Sequence, residues 1–123
     1  MDNLSEDLNG LNKIALNEMV NWNQTKTGLP CIVSLQVPAT DGRTYNHKSK
    51  RIDFQNNKST RFQSSQCLPL DIETGEELVK NKKYDKQLEK EVLKWIQVNK
   101  ELLLNIWDGV ITPEEAEEFL KTV

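Results

Sequence analysis

A chain of 123 residues, 37% hydrophobic and 28% charged, is long enough to bury one core and too apolar to remain unfolded. Its formal charge of -3 excludes a protein that coats nucleic acid through its overall field, because phosphate binding is driven by clustered cations. The average conceals an asymmetry. Arg43, Lys48, Lys50, Arg51, Lys58 and Arg61 crowd the middle of the chain against Asp53 alone, whereas 13 acidic residues face 8 lysines from Asp71 onward.

Leu8, Leu11, Ile14, Ala15, Met19 and Trp22 recur at spacings of three and four, which predicts a helix over residues 8–23. Thr27-Gly28-Leu29-Pro30 ends it with one flexible and one helix-incompatible residue. Cys31, Val33, Leu35 and Val37 then alternate with Ile32, Ser34 and Gln36, predicting a first strand that Pro38 stops. Thr40-Asp41-Gly42-Arg43 signals a turn, which the polar run to Lys50 lengthens into a loop. In a second strand, Ile52 and Phe54 face one way and Arg51, Asp53 and Gln55 the other, with antiparallel pairing to the first expected. Asn56-Asn57-Lys58-Ser59 reads as a turn. After it Cys67, Leu68, Leu70 and Ile72 offer one or two further strands, placed at a sheet edge by Pro69.

Tyr84, Leu88, Val92, Trp95, Ile96, Leu102, Leu103 and Ile106 hold helical period over residues 84–107, with Lys86, Glu89, Lys90, Lys94 and Lys100 largely opposite. Thr112-Pro113-Glu114-Glu115 combines an N-cap, a proline at the first helical position and a glutamate three residues after the cap. It predicts a last helix over 113–121 carrying Ala116, Phe119 and Leu120. The expected fold is α+β in a single domain: an N-terminal helix, a three- to four-stranded, mainly antiparallel sheet over 31–72, a long amphipathic helix and a short one.

Chemistry is harder to find. His47, the sole histidine, would have to serve any Ser-His-Asp or Cys-His mechanism, and it stands in a polar loop where a solvated imidazole is the simpler reading. Cys31 and Cys67, with 35 residues between them and without a Cys-x-x-Cys pair, indicate reduced thiols in place of a zinc site or disulfide framework. Glu114, Glu115, Glu117 and Glu118 suit a helix start better than acid–base work. The five glycines are isolated, so no phosphate-cradling loop is present. No cofactor, metal or catalytic residue is assigned. The opening residues lack the basic and apolar run of a secretory signal and no stretch approaches a membrane span, so a cytoplasmic protein without membrane contact is expected.

Two binding surfaces remain. Arg43, Lys48, Lys50, Arg51, Lys58 and Arg61, interleaved with Tyr45, Phe54 and Phe62, are candidate nucleic-acid contacts. Against this, Phe54 keeps step with Ile52 and reads as core. Trp95, Trp107 and Leu104 are candidate partner contacts if they prove exposed. The surplus of apolar groups in the last two turns of the long helix is otherwise covered by the 113–123 segment folding back.

Three stretches carry a resemblance: Thr27-Gly28-Leu29-Pro30-Cys31-Ile32-Val33, Lys50-Arg51-Ile52-Asp53-Phe54-Gln55-Asn56, and the helix from Lys94-Trp95-Ile96 through Lys100-Glu101-Leu102-Leu103-Leu104-Asn105-Ile106-Trp107. They resemble small uncharacterised proteins of phages and mobile elements. The last stretch also resembles the C-terminal helix of a family of unknown function encoded beside toxin–antitoxin genes, whose His- and Pro-rich strand motif is missing here. The resemblance covers residues 27–123 and implies an accessory protein that binds and modulates a host protein, a defence component included. It brings no catalytic residues with it.

Overall fold

The structure, a computed structural model, describes residues 19–36 and 50–123. Four strands, β1 (Met19–Trp22), β2 (Val33–Gln36), β3 (Arg51–Gln55) and β4 (Cys67–Asp71), form an antiparallel sheet in the order β1-β2-β3-β4. The helices are α1 (Gln24–Thr27), α2 (Lys86–Trp107) and α3 (Pro113–Glu117), and a 3-10 turn at Ser64–Gln66 precedes β4. The fold is thus α+β, as its alternating and helical periods predict.

The register aligns Trp22 with Val33, Val33 with Phe54, and Phe54 with Leu68, so these side chains share one face of the sheet. Period-two alternation adds Val20, Leu35, Ile52 and Leu70 to that face. Against it α2 lays Leu88, Val92, Trp95, Ile96, Leu103 and Ile106, and all but the half-buried Val20 belong to one buried cluster. Trp22 meets Trp95 with ring centroids 5.9 Å apart, and Phe54 meets Tyr84 at the same separation. Both pairs are tilted, as the quadrupoles of adjoining rings favour.

Of the helix expected over 8–23, residues 8–18 lie outside the described residues, and Met19–Trp22 is a strand. Trp22 fits a helical stripe with Met19 and an alternating strand with Val20. Pairing with β2 decides between them, because it seats Trp22 beside Val33 in the core. The chain then turns through α1, whose N-cap Asn23 accepts a hydrogen bond from the Thr25 amide and whose end falls at Gly28, in the left-handed region at φ 79°.

Pro69 does stand in an edge strand. Residues 76–78 cover its outer side: Leu78 N–H donates to the Pro69 carbonyl and Asp71 N–H to that of Glu76. The Tyr84 hydroxyl donates to the Pro69 carbonyl at 2.7 Å. Asp85 caps α2 by accepting from the amides of Gln87 and Leu88, so the helix starts two residues later than its apolar period suggests. Glu89, expected on the solvated face, is buried. The capping box at Thr112 and Glu115 forms as read, yet α3 ends at Glu117, leaving Ala116 in the core and Phe119 62% exposed.

Candidate partner-binding surface

The structure does not gather the basic middle of the chain into one patch among the described residues. Arg43, His47 and Lys48 lie outside them. Lys50 is tied to Asp108 at 2.9 Å, fastening the start of β3 to the end of α2. That hydrogen bond raises the lysine above its ordinary range, against a small opposing push from burial. Arg51 is half-buried, with its Nε enclosed and without an acceptor. Lys58 and Arg61 are exposed on the loop over 56–63, which is built around the buried Gln55 side chain. Its Nε2 donates to Asn57 Oδ1, Ser59 O and Arg61 O, and its Oε1 accepts from the Gln63 amide at 2.7 Å.

The apolar candidates move inward. Trp95 is 0% exposed and Trp107 6%, so neither tryptophan offers a free face, while Leu104 is partly buried against the same core. What covers the end of α2 is the chain itself. Ala116 is buried, Ile111 and Leu120 pack against the core, and Asn99 donates to the Lys121 carbonyl at 3.0 Å while accepting from its amide at 2.9 Å. The Val123 amide then donates to Thr27 O, and Glu117 holds both Lys26 and the Trp22 indole.

The surface that does stand open lies on the other side of α2. Lys86, Glu89, Lys90, Leu93, Lys94, Gln97, Val98 and Val123 line a groove of about 660 Å³. Its apolar part is Leu93 with Val98, 46% exposed, and Val123, 50% exposed. Lys86, Lys90 and Lys94 follow one another at four-residue intervals, which places them on one face of the helix. Lys86 is already engaged by Glu77 and by Glu89 at 3.4 Å. Lys90 and Lys94 are exposed and, among the described residues, have no ion-pair partner. Lys80, Lys82 and Lys83, also exposed, precede the helix, so its first half is a basic region within an otherwise acidic third of the chain.

Two clusters of titratable groups remain. Burial, reinforced by Glu91, Cys67 and Asp85, pushes the Cys31 thiol up to about 12, the wrong direction for a nucleophile. Cys67 is raised as well, by burial and the Asp53 charge, with the nearby Ser34 hydroxyl opposing the shift without reaching hydrogen-bond geometry. At the groove's edge, burial and then Glu77 raise Glu89, while Lys86 lowers Glu77. With one lysine between two carboxylates, the trio engages itself but keeps a negative charge when both acids are ionised. Among the described residues no three His, Cys, Asp or Glu side chains converge on a metal-sized site, and no helix is long and apolar enough to cross a membrane.

The sequence did carry a signal for the groove: Leu93 and Val98 fall off the core stripe of α2, on the face that its lysines mark as solvated. No protein-family model, curated protein or solved structure matches the chain.

Proposed function

We propose that the chain is a non-catalytic cytoplasmic protein that binds and modulates a host protein, with the groove on α2 as its contact surface. The observation that carries this reading is a groove in which Val98 and Val123 stand about half exposed, with partly buried Leu93 and two lysines that form no ion pair with another described residue. Apolar side chains left open as a group, with polar residues around them, are the usual mark of a binding site. The Cys31 thiol, held protonated by burial, and the mutual engagement of Glu77, Lys86 and Glu89 favour binding over chemistry. The resemblance of residues 27–123 to phage and mobile-element proteins supports a host component as the target, a defence system among the candidates.

The test compares immobilised wild-type chain with Val98→Asp, a substitution at an exposed position that leaves the core untouched. The wild type is expected to retain a discrete host protein at moderate salt and the variant to lose most of it. Equal retention by the two removes the groove from the interface.

A further inference from the structure

Resting on the α2 groove as the contact surface, we infer that its occupant is a short acidic amphipathic helix. Its recognition signature is two carboxylates one turn apart, apolar side chains on the same face, and no third acid two turns further on.

The pattern of charge along α2 sets these requirements. With a rise of about 1.5 Å per residue, Lys90 and Lys94 stand about 6 Å apart along the helix axis, the spacing of acids at i and i+4 on a partner helix. Lys86 adds little, since Glu77 and Glu89 already hold it. Seven residues beyond Lys94, about 10 Å along the axis, the same face carries exposed Glu101. The cationic window is therefore about one turn long, bounded on one side by Glu101 and on the other by the two acids that hold Lys86.

That closure separates the possible occupants. A nucleic acid or an anionic membrane presents negative charge continuously and would meet Glu101 as soon as it extended past Lys94. The groove also offers no aromatic ring for base stacking. A small anionic amphiphile would need its tail enclosed, whereas Val98 and Val123 are about half exposed to solvent and only Leu93 between them is partly buried. A helix laid along α2 satisfies both features, with its apolar ridge over the floor and its acids over the two lysines. A basic residue two turns from those acids would face Glu101.

The probe is a labelled 18-residue helical peptide with Glu at i and i+4, Leu on the same face and Lys two turns on, titrated with the full chain by fluorescence anisotropy. Its charge-inverted and proline-interrupted versions serve as controls. Saturable binding of the acidic peptide alone is expected, weakened several-fold between 50 and 300 mM salt. Lys90→Glu with Lys94→Glu should lose at least tenfold and gain the charge-inverted peptide, while Glu101→Lys should admit a peptide carrying a third acid. Binding of the proline-interrupted or charge-inverted peptide equal to that of the acidic one overturns the inference. So does preference for vesicles of three parts phosphatidylcholine to one part phosphatidylglycerol, for duplex DNA, or for self-association in sedimentation. If no peptide binds while host-protein retention still depends on Val98, the acidic helix is wrong and the groove stands. If Val98 dependence is lost too, both fall.

Discussion

At Cys31, burial between the sheet and α2 holds the thiol protonated far above the pH at which an exposed cysteine ionises, about 8.5. Because the folded value of about 12 exceeds the unfolded one, the stability linked to this group is complete below the unfolded range and declines as pH rises from there toward 12. Tyr84, raised mainly by burial, adds to the loss in the same direction, so the informative comparison is between variants at matched pH. Cys31→Ala is expected to flatten the alkaline fall in urea-unfolding stability relative to wild type. Iodoacetamide at pH 9 should modify half-buried Cys67 first, with Cys31 labelled only once the chain is unfolded. Rapid native labelling of Cys31, read by peptide mass, contradicts its enclosure.

Among the elements, α3 was legible in sequence because its determinants are local. Thr112 and Glu115 are three residues apart and satisfy each other's end of the helix: the Glu115 amide donates to Thr112 Oγ1 at 3.2 Å, and Glu115 Oε1 accepts from the Thr112 amide at 3.0 Å. Thr112→Ala should cost about 1 kcal/mol. Glu115 is held below the ordinary carboxylate range by those Thr112 bonds, so its help is present above that range and lost as pH falls through it. Wild type and Glu115→Gln should therefore differ in denaturant midpoint at pH 7 and converge near pH 3. By the same logic β2, β3, β4 and α2 were readable from their alternating or helical periods. The strand at Met19–Trp22 was not, since Trp22 keeps helical spacing with Met19 and strand alternation with Val20, and only the partner strand chooses between them. Nor was the Gln55-centred loop, whose hydrogen bonds reach up to eight residues downstream and leave no composition signal. Burial of Trp95 followed from its place in the stripe, whereas Trp107 lies outside the stripe as read and is buried all the same. The groove was missed because its lysines read as an ordinary solvated face.

Across the whole molecule, the segment after α3 acts as a strap. It runs from Glu117, paired with Lys26 at 3.1 Å, past Asn99 to Val123, whose amide meets Thr27 O at 3.0 Å. Gly28 makes that approach possible: its positive φ suits glycine, and a Cβ there would collide with the Val123 carbonyl oxygen. Asn99 is the strap's most exacting contact, because its buried amide satisfies the Trp95 and Lys121 carbonyls and accepts the Lys121 N–H. Asn99→Ala should cost about 1–3 kcal/mol, the penalty for leaving enclosed polar groups unpaired. Hydrogen exchange should locate the damage, with the amides of Lys121 and Val123 losing protection while those of β3 and β4 keep theirs. Since Val123 is also a wall of the α2 groove, loosening the strap should weaken partner retention although no groove lysine has changed. Retention equal to wild type, with the Val123 amide exchanging freely, would show instead that Leu93 and Val98 suffice as the apolar floor.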